Sequence, residues 1–186
     1  MEALLQLDYY LFHLINGVWT AAWLDESAPL WRTKTTWIPL YVVLAGLIVY
    51  RLRRRAVWLF LAAGLCVAVA DQVSSSIIKP SVERLRPCRN PALEQPANVL
   101  IACGGGYSFT SSHATNHFAI ALLLVLGMAG FAGRWRYLLL LWAASIGYAQ
   151  VYVGVHFPLD VICGGLLGCL IGWGCFELIR TRLGET

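Results

Sequence analysis

AVWLFLAAGLCVAVADQVSSSII, residues 56–78, has the length and apolarity of a helix that crosses a membrane. No charged residue precedes Asp71, and about 20 helical residues span the roughly 30 Å of hydrocarbon in a bilayer. In the hydrocarbon every backbone N–H and C=O group must form a hydrogen bond within the protein, which a lone strand cannot achieve. The stretch therefore predicts a membrane-spanning α-helix.

Similar apolar stretches recur along the chain, which is 59% hydrophobic and only 13% charged. Soluble domains have roughly 45–50% apolar and about 25% charged residues. We therefore expect an all-α integral membrane protein, a bundle of five or possibly six transmembrane helices. The other four predicted spans are residues 35–51, 113–132, 137–155 and 158–179.

The basic residues predict how the bundle is oriented. Arginines cluster between the first and second predicted spans, between the third and fourth, and after the fifth. Cytoplasmic loops of membrane proteins are enriched in Lys and Arg. With these clusters inside, segments 79–112 and 155–158 face the periplasm or the exterior of an inner or plasma membrane. The net charge of +4 is too small to indicate nucleic-acid binding. The clusters are residues 51–55, Arg134 with Arg136, and Arg180 with Arg182.

Residues 1–33 are less apolar than the spans, with polar residues at roughly helical spacing. We interpret them as one or two amphipathic helices in the outer interface, anchored by Trp19, Trp23 and Trp31. A sixth span is the alternative. No linker divides the chain, so we expect a single domain, 1–186, with the transmembrane bundle in 34–186.

Three polar clusters lie at the predicted outer ends of spans, although the segments are far apart in sequence. Cationic side chains suit a phosphate group, and arginine can bind it through two parallel hydrogen bonds. An imidazole can attack or transfer protons, and a nearby carboxylate can hold its tautomer. The clusters are Lys79 with Arg86, Ser111–Ser112–His113, and Gln150 with His156 and Asp160.

The three clusters resemble the motifs of the type 2 phosphatidic acid phosphatases, a family related to the vanadium haloperoxidases. That family has K-x6-R-P, then P-S-G-H, then S-R-x5-H-x3-D. The corresponding stretches here are KPSVERLRP (79–87), TSSH (110–113) and AQVYVGVHFPLD (149–160), and the resemblance covers about residues 56–175.

The resemblance implies a role for each motif residue. His156 attacks phosphorus and becomes a transient phosphohistidine, while Asp160 orients it. His113 protonates the leaving oxygen and can then activate water. The phosphate is bound by the remaining motif residues, Lys79, Arg86, Ser111 and the backbone N–H groups of Ser112 and His113.

The chain departs from the family pattern at four positions, one of which is Thr110 in place of the family Pro. Ser112 replaces the family Gly, Ala149 replaces a Ser, and Gln150 replaces an Arg. Gln150 can donate hydrogen bonds to a phosphate but brings no charge, and one lost charge-assisted contact costs about 1.5–3 kcal/mol. We hypothesise that another cation compensates; the candidates are Arg84, Arg89 and His117.

The cysteines and glycines predict structural contacts. Cys88 and Cys103 share the outer loop, where oxidising conditions favour a disulfide. No metal-ligand spacing is present, so we expect neither a metal nor another cofactor. Gly164, Gly165 and Gly168 predict a close contact between helices.

The expected function is a lipid phosphatase that acts at the outer leaflet without a metal. The substrates that the resemblance implies are undecaprenyl diphosphate, phosphatidylglycerol phosphate, phosphatidic acid and lipid A phosphates. A lipid phosphotransferase with the same site is one alternative. A lipid-binding or transport protein without enzymatic activity is another. The partners expected are therefore the bilayer and a phospholipid or prenyl phosphate, with no nucleic acid.

Overall fold

The structure, a computed structural model, describes residues 2–184 and contains no β-strand in that range. The predicted all-α class is confirmed for these residues. A π-helical segment, Gln72–Ile78, joins α4 to α5. In chain order the helices are α1 (Glu2–His13), α2 (Ala22–Trp31), α3 (Ile38–Leu52), α4 (Ala56–Asp71), α5 (Lys79–Val82), α6 (Ser112–Gly127), α7 (Ala129–Ala132), α8 (Leu138–Tyr152) and α9 (Pro158–Leu183).

Two helical runs are long and apolar enough to cross a membrane, residues 34–89 and 158–183. Helix α6 and residues 129–152 meet at a bend of 69° and provide a third candidate if the pair forms one span. The first run would be about 84 Å long if it were straight, far more than a bilayer needs. Because this run is long enough for two crossings, we propose that α3 and α4 cross the membrane separately, which would give the expected five spans.

Helix α6 lies at the centre of the bundle and packs on α4, α8 and α9. Its closest neighbour is α9, through glycines spaced four residues apart. A Cβ on Gly168 would lie 2.3 Å from the Thr115 carbonyl oxygen, and a Cβ on Gly172 would lie 2.4 Å from that of Ala119. This close approach fixes the start of α6 against the start of α9, where the polar clusters are.

The N-terminal segment packs against α8 and α9. Asp8 on α1 accepts a hydrogen bond from the backbone N–H of Leu159 at 2.8 Å. The buried Asn16 donates to the carbonyl oxygens of Asn98 and Tyr152, and the Tyr152 hydroxyl donates to Asp25 at 2.6 Å. The candidate spans do not include this segment. We keep an interfacial location for it as a proposal, in agreement with the exposed rings of Trp19 and Trp23.

The outer loop after α5 is held by a disulfide and by a contact with the turn between α8 and α9. Cys88 and Cys103 form the predicted disulfide, and the Arg89 side chain donates to the carbonyl oxygens of Cys103 and Gly104. Further along, the Asn98 carbonyl oxygen approaches Gly154, where a Cβ would lie only 2.6 Å away. Gly154 also has a φ of +83°, so glycine is required there for two reasons.

The close contact between α6 and α9 gives a stability prediction. Gly168→Ala places a methyl group against the α6 backbone, so the helices must separate. We expect the free energy of unfolding in detergent to fall by about 1–3 kcal/mol.

Gly174→Ala on the same helix is the matched control, because a Cβ at that position meets nothing within 4 Å. This variant should unfold no more easily than the wild type, since alanine favours the helix. Equal losses from both substitutions would show that the contact at Gly168 is not what holds the two helices together.

Candidate active site

Three distant segments meet at one end of the bundle, as the motif positions predict. Arg86 comes from the outer loop, His156 from the turn between α8 and α9, and His113 from the first turn of α6. Arg86 Nη1 lies 3.3 Å from His156 Nε2. His113 lies within electrostatic range of both His156 and Lys79. Two imidazoles and two cations therefore share one site.

The neighbours of His156 determine which ring nitrogen carries the proton. Arginine has only donors, so the Nη1 group of Arg86 requires an acceptor at Nε2. On the other side of the ring, Nδ1 lies 3.5 Å from the Asp160 carboxylate, which can only accept while it is ionised. Both contacts favour a proton on Nδ1. The Nε2 lone pair is then left facing the cationic side of the site.

His156 is almost fully buried, and it lies in a loop between helices. Burial lowers the pKa of His156, while the hydrogen bond and charge of Asp160 act in the opposite direction. A neutral imidazole is therefore favoured near neutral pH, and only the neutral form has a lone pair to share. The 3.5 Å contact with Asp160 is longer than a good hydrogen bond, as is common in catalytic sites without substrate.

Asp160 is fully buried and held at the N-terminus of α9. One carboxylate oxygen accepts from Arg84 Nη1 at 2.7 Å, and the other accepts from the Phe157 backbone N–H at 2.8 Å. The second amino group of Arg84 pairs with Asp8 on α1. Arg84 thus bridges two buried carboxylates and fixes the carboxylate that faces His156.

Nδ1 of His156 has no hydrogen-bond partner among residues 2–184, and neither do two buried donors near this ring. The two donors are Nε of Arg86 and the amide nitrogen of Gln150. The Gln150 amide oxygen accepts from Arg32 Nε at 3.2 Å, so its NH₂ group must point the other way. Donor-only atoms left unpaired in a buried site fit the oxygens of an anion such as phosphate.

The serines of the second motif make contacts within the protein. The Ser111 hydroxyl caps α6 by accepting from the Ala114 N–H, and the Ser111 N–H donates to the Asp160 carbonyl oxygen. The Ser112 hydroxyl bonds to Ser74 and Ser75 on the π-helical segment. Ser112 is the first residue of α6, so the position accommodates a Cβ in place of the family glycine.

The three cations that we expected to compensate for Gln150 are occupied elsewhere. Arg84 pairs with Asp8 and Asp160, Arg89 binds loop carbonyls, and His117 Nδ1 contacts the His113 carbonyl oxygen. Gln150 instead contacts Arg32, which the motif analysis did not include. One signal could have found it: Arg32 is an isolated arginine on the predicted outer side, where positive residues are uncommon.

Comparisons with known proteins identify the family of the chain. The family model of the PAP2 superfamily matches residues 55–183. A lipid A 4'-phosphatase of Bacteroides thetaiotaomicron is 30% identical over 98% of this chain and 81% of its own length. An undecaprenyl-diphosphatase of Sulfolobus acidocaldarius is 33% identical over 92% of this chain and 78% of its own.

Among solved structures, LpxE of Aquifex aeolicus superimposes with a TM-score of 0.68 at 29% identity. The superposition covers 92% of this chain and 95% of that protein. The likeness therefore includes the N-terminal segment as well as the part of the chain that the family model matches.

The bridge made by Arg84 gives a second stability prediction. Arg84→Met leaves Asp8 and Asp160 as buried carboxylates without their shared cation. Removal of one partner from a buried ion pair costs about 3–5 kcal/mol, and we expect that loss in the free energy of unfolding. Chemical denaturation in detergent measures it.

Arg180→Met removes an arginine from an exposed pair with Glu177 and serves as the control. Exposed pairs contribute about 0–1 kcal/mol. If both variants lost the same small amount of unfolding free energy, the bridge between the two carboxylates would stabilise the protein no more than an exposed ion pair does.

Proposed function

This chain belongs to the PAP2 superfamily, and from that premise we propose that it hydrolyses a phosphate ester or diphosphate of a membrane lipid. Relatives that align with most of the chain are named for lipid A 4'-phosphatase and undecaprenyl-diphosphatase activity. A sugar-linked monophosphate of the lipid A kind is our first candidate substrate. Undecaprenyl diphosphate is the second, followed by phosphatidylglycerol phosphate and phosphatidic acid.

The observation that carries the proposal is the 3.3 Å contact between Nε2 of the buried His156 and Nη1 of Arg86. In the first step Nε2 attacks phosphorus, an N–P bond forms, and the P–O bond to the lipid breaks. Positive charge that develops on the imidazole is stabilised by Asp160, as in other triads. Arg86 and Lys79 neutralise the phosphate oxygens, which lowers the barrier electrostatically.

His113 is our candidate for the proton transfers. Protonated when the anionic substrate is bound, His113 gives its proton to the lipid oxygen as that oxygen leaves. This leaves a hydroxyl on the lipid, or a lipid monophosphate when the substrate is a diphosphate. In the second step His113 takes a proton from water, which attacks the phosphohistidine. The N–P bond breaks, inorganic phosphate departs, and His156 returns to its starting form.

We further propose that the reaction needs no metal and takes place at the outer leaflet. Side chains supply the positive charge that a metal would otherwise provide, and the described residues include no cluster of three or more metal-ligating side chains. The arginine clusters at 51–55, at Arg134 and Arg136, and at the end of α9 support the orientation, because they fall at the other ends of the helices.

Two other functions can be distinguished from lipid hydrolysis by an assay of phosphate release. A phosphotransferase would use the same two steps, with a second lipid hydroxyl in place of water. A lipid-binding or transport protein would use the cations but would not require the ring of His156.

The decisive variant is His156→Ala in purified, detergent-solubilised protein. Without the nucleophile, phosphate release should fall by at least about 10³-fold, in the range that loss of a nucleophile costs other enzymes. Phosphate release is measured on lipid A, undecaprenyl diphosphate, phosphatidylglycerol phosphate and phosphatidic acid.

His13→Ala is the matched control, since His13 is a partly buried histidine of α1. It should leave phosphate release unchanged. With substrate labelled at the reactive phosphorus, wild-type protein quenched in alkali should carry the label, and His156→Ala should not. Undiminished release by His156→Ala, or label on a residue other than His156, would contradict the proposed mechanism.

A further inference from the structure

Arg32 contacts Gln150, one of the positions at which this chain departs from its family's motifs. It follows α2 and reaches across to α8, where its Nε donates to the Gln150 amide oxygen at 3.2 Å. Gln150 is fully buried and occupies the position of the family arginine. A guanidinium therefore sits beside this position even though residue 150 brings no charge.

The charge of Arg32 also acts on other groups of the site. It is within electrostatic range of His113, and burial together with the charge of Arg86 lowers the pKa of Arg32. Arginine stays protonated under such shifts. Because the contact with Gln150 uses Nε, the two Nη groups remain available for oxygen atoms of a ligand.

The segment that carries Arg32 is fixed to the same helix as Gln150. The Trp31 indole N–H donates to the Ser145 hydroxyl at 2.9 Å, and the Tyr152 hydroxyl bonds to Asp25 at 2.6 Å. Trp37 packs edge-on against both Trp31 and Trp142. These anchors on α8 lie on both sides of Gln150 in sequence, so they hold the arginine without help from a ligand.

The identity of residue 150 matters for this arrangement. Arg32 needs an acceptor at position 150, and an arginine there has only donors and would repel it. A glutamine satisfies the requirement with its oxygen and leaves its NH₂ group free, and that group has no partner among the described residues. Arg32 and Gln150 therefore act as a pair in which the charge comes from the segment after α2 and not from α8.

We propose that Arg32, held by Gln150, binds the substrate phosphate in place of the family's third-motif arginine. The inference rests on the proposed function, since it assigns a phosphate-binding residue to that same site. It also gives the N-terminal segment, which the family model does not cover, a direct part in the site.

The test removes the positive charge at Arg32 and restores one at position 150, where the family has its arginine. Arg32→Gln should weaken binding of orthovanadate, a phosphate analogue, by roughly 10- to 100-fold, the equivalent of one charge-assisted hydrogen bond. Gln150→Arg in the same chain should recover most of that affinity. Gln150→Arg alone should give no gain, because the two guanidinium groups would repel each other. Isothermal titration calorimetry in detergent measures each Kd.

Two further variants separate phosphate binding from a structural role. Lys34→Gln removes an exposed charge two residues away and should leave the Kd unchanged. Arg32→Lys keeps the charge without the forked donor and should lose less affinity than Arg32→Gln. Equal losses from these two Arg32 variants would mean that Arg32 only supports the fold, and would overturn the proposal.

A failure of the inference can be distinguished from a failure of the proposed function. Vanadate binding requires no knowledge of the lipid, so it tests Arg32 directly. An unchanged Kd in Arg32→Gln, no recovery in the double variant, or a sharp gain in Gln150→Arg alone would overturn the role of Arg32. Undiminished lipid hydrolysis by His156→Ala would overturn the proposed mechanism whatever the vanadate results are.

Discussion

The site depends on how the Asp160 carboxylate is held. Its two oxygens are fixed by Arg84 and by the Phe157 N–H, so one of them must face Nδ1 of His156. That contact favours a proton on Nδ1 and a lone pair on Nε2, which lies 3.3 Å from Arg86 Nη1. Without this constraint the imidazole could adopt the other tautomer or rotate, and the cations would surround no nucleophile.

The same constraint explains why the N-terminal segment packs so closely on the bundle. Arg84 pairs with Asp160 through one amino group and with Asp8 of α1 through the other, so it joins α1 to the start of α9. A few residues on, Asn16 and Asp25 hydrogen-bond to Tyr152 on α8. The segment therefore supports Asp160 through Asp8 and, in our proposal, supplies a phosphate ligand through Arg32.

Sequence reasoning predicted the parts of this molecule that follow from local pattern. Apolar length predicted the helices, and three spaced motifs predicted that Arg86 and His156 would meet. The cysteines of the outer loop predicted their disulfide, and the PAP2 family assignment is confirmed. The glycine spacing on α9 predicted its close contact with another helix, because small residues let two helix backbones approach closely.

Other parts depend on tertiary contacts between segments with no shared motif. Arg84 and Arg89 look alike in sequence as possible compensating cations, yet one bridges two buried carboxylates and the other binds an exposed loop. Arg32 was missed because its partner is 118 residues away and no local pattern links the two. No local pattern explains Ser112 in place of the family glycine either, because its hydroxyl bonds to Ser74 and Ser75 on a distant segment.

The most direct test of the central claim is an experimental structure of the protein with orthovanadate bound. We expect vanadium bonded to Nε2 of His156, its oxygens contacted by the Nε group of Arg86, and Nδ1 at hydrogen-bond distance from Asp160. Vanadate bound away from His156, or a ring turned so that Nδ1 faces the anion, would contradict the central claim.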